Sequence, residues 1–261
     1  KKRITECWDA TQLEDMYLPF KPKRKTKAEV ARKKGLEPLA ITLLTQPYKQ
    51  PSDVAQRYVK GDVKNAEEAL QGARDIIAEM VNEDERSRQT VRRSFEYTGM
   101  IRSKVIKAKE SEAAKFRDYF DWSEPLKRCT SHRLLAMRRG EAEGFLRVTI
   151  SPSDDDDCVS RVERPYVKVG SPAAQQVEMA VNDAYKRLLK PSIETEFAGS
   201  SKLKADEEAI HVFAENLKQL LLAAPLGQKR IMGIDPGFRT GCKVVCLDAQ
   251  GNLLHNETIY P

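Results

Sequence analysis

Long apolar runs are missing from this sequence. The longest, Leu220 to Leu226, falls far short of the roughly 18 to 20 residues that a bilayer span requires, and no basic-then-apolar leader opens the chain. The expectation is a soluble protein with no membrane partner. Paired cysteines are missing too: Cys7, Cys129, Cys158, Cys242 and Cys246 are an odd, scattered set without a C-x-x-C spacing, which fits neither a disulfide framework nor a zinc site. A reducing cytoplasm is the expected compartment. His132, His211 and His255 fall at no metal-ligand spacing, and without a placed base no serine or cysteine stands out as a nucleophile. There is no internal repeat, and no cofactor is expected.

What the chain has in excess is charge. Charged residues make up 32% of its 261 residues, against a usual share of about 25%. The 40% of hydrophobic residues still allows a core, since at this length folding buries roughly three quarters of the unfolded surface. Wholesale disorder and collagen-like structure are thereby excluded. The net charge of +6 is concentrated rather than sprinkled. Between Lys21 and Lys34, the cations Lys21, Lys23, Arg24, Lys25, Lys27, Arg32, Lys33 and Lys34 face the single acid Glu29, so this segment alone accounts for the excess. A second basic stretch, Arg86 to Lys109, holds Arg86, Arg88, Arg92, Arg93, Arg102, Lys104, Lys107 and Lys109 against Glu96. Acid is clustered at Asp154 to Asp157.

The chain begins without Met and ends at Pro261 just after a strand-like run, so a piece of a longer protein is expected. From Ile4 to about Leu226 the dominant period is helical. In Asn65 to Val81, Ala66, Ala69, Leu70, Ala73, Ile76, Ile77, Met80 and Val81 recur at three- and four-residue steps, which predicts one buried stripe. Ser171 and Pro172 read as N-cap and first-turn proline of a helix carried by Val177, Val181, Ala184 and Leu188 to a stop at Pro191. Asp206 is expected to open a further helix with Ile210, Phe213, Leu217, Leu220 and Leu221 facing inward, closing near Pro225 and Gly227. Phe145 to Ile150 reads as a short, isolated strand. After Gly227 the period changes: Arg230 to Asp235, Cys242 to Asp248 and Leu253 to Ile259 are short apolar runs joined by turn residues, predicting an antiparallel meander. The expected fold class is mainly α, a multi-helical region over residues 1–228 followed by the first antiparallel strands of another domain over residues 229–261.

Gly233-Ile234-Asp235-Pro236-Gly237 places a carboxylate at a strand end before a glycine turn, where it could hold a divalent cation against a phosphate. The simpler reading is a turn-initiating aspartate bonded to local backbone. Asp248, the other acid in the first two strands, lies too far along the second strand to join it and is expected to serve the next turn. Gly237 to Lys243 is no nucleotide-triphosphate loop, because Cys242 separates Gly241 from the lysine and a strand follows where a helix is required. Asp154 to Asp157 lacks the alternating ligands and glycine of a calcium loop and reads as a solvated acidic turn. No metal site or catalytic set is expected. In the Lys21–Lys34 run, Phe20 and Pro22 suggest an extended entry into a helix over Ala28 to Lys34, a geometry suited to phosphate contacts without base readout. The competing readings are a solvated face, or cations paired with acids elsewhere in the same protein.

The run Leu13-Glu14-Asp15-Met16-Tyr17-Leu18-Pro19-Phe20-Lys21-Pro22-Lys23-Arg24-Lys25-Thr26, continuing through Ala31-Arg32-Lys33-Lys34-Gly35-Leu36-Glu37-Pro38-Leu39-Ala40, closely resembles the bacterial Tex family of transcription accessory proteins. So does Ala205 to Gly227, leading into Gly233-Ile234-Asp235-Pro236-Gly237-Phe238-Arg239-Thr240-Gly241-Cys242-Lys243. The resemblance implies a helical region with helix-turn-helix character, related to part of a eukaryotic elongation factor that works with RNA polymerase, followed by a YqgF-type RNase H-like α/β domain, here truncated. It aligns Asp235 with the first acidic position of RuvC-like resolvases and implies a family without nuclease function. The leading expectation is a nucleic-acid-binding transcription accessory protein and not an enzyme. Lys21, Lys23, Arg24, Lys25, Lys27, Arg32, Lys33 and Lys34 are its expected contacts to RNA or DNA, without sequence preference, and RNA polymerase is a candidate partner. A metal-dependent RNase H-like nuclease or resolvase, and a polymerase-binding scaffold without nucleic-acid contacts, stay open as alternatives.

Overall fold

The structure, a computed structural model, describes residues 2–23, 25–46, 48–237 and 241–260. The chain divides into two compact units, Lys1–Ala209 and Ile210–Pro261. In the first, α1 (Lys2–Thr5) and α2 (Ala10–Tyr17) lead through a 3-10 turn at Leu18–Phe20 into α3 (Lys27–Lys33), α4 (Glu37–Thr45), α5 (Pro51–Ala55) and α6 (Ala66–Glu83). Then follow α7 (Glu85–Thr98), β1 (Gly99–Val105), β2 (Asp121–Pro125), α8 (Ser131–Ala142), β3 (Leu146–Pro152), α9 (Asp155–Glu163), α10 (Ala174–Asp183) and α11 (Lys190–Leu221), whose residues from Ile210 belong to the second unit.

Helix α6 is the axis of the first unit. Asn65 caps it by accepting the Glu68 backbone N–H at 2.8 Å, and Glu68 reaches back to the Lys64 N–H at 3.0 Å, so two otherwise orphaned donors are satisfied. Its apolar stripe, with Ala69, Leu70, Ala73, Ile76, Ile77 and Val81, is buried as the spacing predicts, and α3, α4, α5 and α10 pack around it. Each large aliphatic side chain so buried stabilises the fold by about 1.5–3 kcal/mol. Gly72 lets α3 come close: a Cβ there would stand 2.4 Å from Leu36 Cδ1 and 3.3 Å from Ala31 Cβ.

Several expectations need correction. The strand at Leu146–Pro152 is not isolated, because β1 pairs antiparallel with both β2 and β3 in the order β2-β1-β3. Its partner was hidden in the second basic stretch, whose Arg102 and Lys104 stand on the outer side of β1 while Ile101 is buried on the inner side. Asp154 to Asp157 is not a solvated turn: Asp154 caps α9 and the next three acids occupy its first turn, where the N-terminal dipole favours them. Ser171 does not cap a helix at Pro172. Its Oγ accepts the Ala173 N–H at 3.2 Å and α10 begins at Ala174. Pro191 stops nothing, since a π-helical turn at Ala184–Leu189 loosens the ladder just where the proline lacks its N–H, and α11 continues to Leu221. Asp206 therefore lies within α11 and opens no helix; Ile210, Phe213, Leu217, Leu220 and Leu221 are exposed rather than inward-facing.

In the second unit, β4 (Ile231–Asp235), β5 (Cys242–Leu247) and β6 (Leu253–Ile259) form the expected antiparallel meander, ordered β4-β5-β6. Asp248 builds the β5–β6 turn, accepting the backbone N–H groups of Gln250 and Asn252 and the Asn252 side-chain amide at 2.8–2.9 Å. Gly251, at φ 84°, supplies the left-handed residue that such a turn needs. A mainly helical region followed by antiparallel strands is the architecture of this chain.

Candidate nucleic-acid interface

Lys21 and Thr26 have extended backbone, as expected before a helix, but the chain turns at Lys25 before entering α3. Thr26 caps α3, accepting the Glu29 N–H at 3.0 Å, while Glu29 accepts the Lys25 N–H at 2.7 Å. Lys25 takes a left-handed backbone with φ 58° to allow this reciprocal turn. The turn aims much of the run at α6. Lys23 Nζ lies 3.2 Å from Glu79 and also pairs with Glu83. Arg32 Nη1 lies 2.5 Å from Glu79, and Lys34 Nζ 2.7 Å from Glu68. Lys21 pairs with Glu14 at 2.8 Å and Lys33 with Glu29 at 3.0 Å, both at the surface. Lys25 and Lys27 are exposed and make no ion pair among the described residues. Arg24 lies outside the described residues.

Glu79 is the hub of this arrangement. Burial pushes its carboxyl upward, but hydrogen bonds from Arg32, Thr26 and Lys23 outweigh that and hold it below the usual carboxylate range. One turn earlier on α6, Asp75 goes the other way: burial raises it, and Lys27 and Arg187 only partly compensate. Between them opens a cleft of about 440 Å³, lined among others by Lys21, Lys23, Lys27, Asp75, Asn82 and Arg187. Its mixed charges make it a poor isolated phosphate pocket.

The second basic stretch splits in two. Arg88 Nε lies 2.5 Å from Asp15, Arg92 lies 2.9 Å from Asp15 and 2.7 Å from Glu196, and these groups are largely buried, so they tie α7 to α2 and α11. Arg102 and Lys104 instead stand on the solvent side of the β2-β1-β3 sheet with Arg147 of β3. Sequence reasoning did not isolate these three; the signal was the alternation of Ile101, Ser103 and Val105 with Arg102 and Lys104, a two-residue period inside a charge run.

Asp235 ends β4 opposite Lys243 of β5. Among the described residues, no group of three or more His, Cys, Asp or Glu is placed to hold a metal ion. The Cys129 thiol is pushed up to about 12 by burial and by Glu124, and burial also raises Cys158, so neither is a thiolate at neutral pH.

A Tex central region-like family model matches residues 46–213, and a Tex protein YqgF-like domain model matches residues 229–261, which contain β4, β5 and β6. The chain belongs to the Tex family. This Tex chain is similar to Protein tex of Bordetella pertussis, 40% identical over 277 residues that take in 100% of this chain and 35% of the relative. The Transcriptional accessory protein Tex of Neisseria gonorrhoeae is 39% identical over 269 residues, with the same coverage. Human S1 RNA-binding domain-containing protein 1 is 29% identical over 276 residues, 99% of this chain and 27% of that one. The chain spans about a third of the length of the bacterial relatives it matches. Among the described residues no helix is long and apolar enough to cross a membrane.

Proposed function

We propose that this Tex chain is a nucleic-acid-binding, non-catalytic part of a cytoplasmic transcription accessory protein, gripping RNA or DNA through phosphate contacts without reading sequence. The observation that carries the reading is the set of cations around the start of α3 that remain open to solvent. The Lys33 side chain is 75% exposed and that of Lys21 53%, each held only by a surface pair, while Lys25 and Lys27 have no paired acid among the described residues. Surface pairs are worth about 0–1 kcal/mol, little enough for a phosphate to displace them. Lys23, Arg32 and Lys34 are committed to α6, so their part is to hold the turn that presents the others. The names of two relatives, one a transcriptional accessory protein and the other an S1 RNA-binding domain-containing protein, support the same direction.

The test is fluorescence anisotropy of the 261-residue chain with labelled single-stranded RNA and duplex DNA across a salt series. Salt-sensitive binding to unrelated sequences is expected. Lys25→Gln, Lys27→Gln and Lys33→Gln together should lower the slope of log K against log salt by up to about 0.9 per lost duplex contact. Absence of binding at low salt, alongside capture of RNA polymerase, would replace this reading with a protein scaffold. Asp235 is a lone carboxylate beside a lysine ladder partner, which neither fixes two ions nor positions an attacking water. No cleavage of single-stranded, duplex or four-way-junction substrates in Mg²⁺ or Mn²⁺ is expected; metal-dependent cleavage that disappears in Asp235→Asn would install the nuclease instead.

A further inference from the structure

We propose that the solvent face of the β2-β1-β3 sheet is a second docking surface, and that its occupant is the phosphodiester backbone of a nucleic acid. The inference rests on the nucleic-acid reading above and gives it a location that the basic run does not reveal. Directly opposed residues of an antiparallel pair share a face, and the register sets Lys104 opposite Arg147 and Arg102 opposite Thr149. Lys104, Arg147 and Thr149 are exposed. Two cations thus stand side by side at the roughly 4.5–5.5 Å separation of a cross-strand pair, where like charges destabilise the sheet. A third, Arg102, lies two residues along the same strand, about 6.6 Å away.

Among the described residues no ion pair relieves this repulsion. Among the described residues, Lys104 and Arg147 have no ion-pair or hydrogen-bond partner. Asp121 stands opposite Lys104 on the β2 side but forms no ion pair with it. Arg102 donates a hydrogen bond to the Ser151 hydroxyl, and the nearby Asp155 is already engaged by Lys190 and Tyr185. The contrast with Lys23, Arg32 and Lys34, each of which found an acid, marks Lys104 and Arg147 as cations kept available, with Arg102 beside them.

The same face favours a phosphate backbone over other anions. Ser123 and Thr149 flank Arg102 with neutral hydroxyl donors, a mixture of long charged and short polar donors suited to phosphate and sugar oxygens. The three cations occupy neighbouring positions on two strands, a spread that can meet successive phosphates of one backbone. No aromatic side chain of the three strands shares the face, since Trp122 is on the opposite side with Ser103, so base stacking is absent and sequence preference is not expected.

The experiment compares the 261-residue chain with its Lys104→Gln/Arg147→Gln variant by anisotropy on labelled single-stranded RNA and duplex DNA of unrelated sequences, from about 50 to 200 mM salt. Loss of two contacts should lower the slope of log K by about 1.4 on single strands and about 1.8 on duplex, and weaken binding at least about tenfold near 0.1 M salt. Thermal unfolding run in parallel should show a midpoint that is unchanged or raised, which separates lost contacts from lost fold. Wild type that binds while the variant keeps the same affinity and slope overturns this surface and leaves the proposed function standing. Wild type that binds no nucleic acid overturns both. If the variant loses retention on immobilised poly-glutamate yet keeps its nucleic-acid slope, the face serves an acidic protein and the proposal is wrong.

Discussion

Lys23, Arg32 and Lys34 each end on a carboxylate of α6, whereas Lys104 and Arg147 end on each other's repulsion. By density along the chain, the first group belongs to the strongest basic signal in the protein, Lys104 to a weaker one and Arg147 to neither. In space the order changes. Glu68, Glu79 and Glu83 lie along one helix beside the turn into α3, so the charge of Lys23, Arg32 and Lys34 is spent inside the protein. The strand cations face outward because Ile101, Val148 and Ile150 take the inner face, leaving the alternate positions to solvent, and Asp155 of α9, the helix acid near Arg102, is already engaged by Lys190 and Tyr185. A local excess of charge is therefore a statement about the segment, while an available field depends on which element packs against it.

The strongest way to break the comparison is to remove an acid from the paired side where it is most buried. Asp15 is 3% exposed and faces both Arg88 and Arg92. Asp15→Ala leaves two guanidinium groups largely out of water, with Glu196 answering only one of them, and should cost about 3–5 kcal/mol in urea unfolding. A loss below about 1 kcal/mol would mean that these arginines reach solvent and belong with the available cations.

The next effect is a pH dependence centred on Glu79. Its folded carboxyl lies below the ordinary glutamate value of 4.5, so it stabilises the fold fully above that value and progressively less as pH falls through the folded pKa. Stability should accordingly drop below about pH 4.5, and Glu79→Gln should flatten part of that drop while costing about 1.5–3 kcal/mol at pH 7 through lost charge-assisted hydrogen bonds. Urea midpoints measured from pH 3 to 7 on both chains check the sign; identical pH profiles would show that Glu79 is not the hub.

Much of this is legible in the sequence alone. The α6 stripe and the meander were readable because each repeats a single period over its whole length, and Asp248 was readable because its turn is local. What was not legible depended on partners distant in sequence. Nothing near Lys23 announces that Glu79 will meet it, and nothing near Pro191 announces a π-helical turn that absorbs it. Gly99 to Val105 was masked by its own charge: Gly99, Ile101, Ser103 and Val105 alternate with Met100 and the cations Arg102 and Lys104, and the surrounding charge run obscures the two-residue period. Arg147 could not be matched to Lys104 without the register.

The smallest effect sharpens the comparison most, because the two groups of cations predict opposite signs. Neutralising a paired cation removes an attraction, so Lys34→Gln, which loses its 2.7 Å contact with the half-exposed Glu68, should lower stability by up to about 1 kcal/mol. Neutralising an opposed cation removes a repulsion, so Lys104→Gln should leave stability unchanged or raise it by a few tenths of a kcal/mol, within the range of about 0.2–1 kcal/mol for cross-strand pairs. Glutamine suits both sites, keeping most of the side-chain length without the charge, although it is a better helix former than strand former, which biases slightly against the expected gain in β1. The measurement is the unfolding midpoint of each variant at low and high salt. Screening should shrink the Lys34→Gln loss and the Lys104→Gln gain together, since both are surface Coulomb effects. A loss in Lys104→Gln that persists in high salt would mean that its aliphatic stem, not its charge, is what the sheet uses, and the face would then be a packed surface rather than an open one.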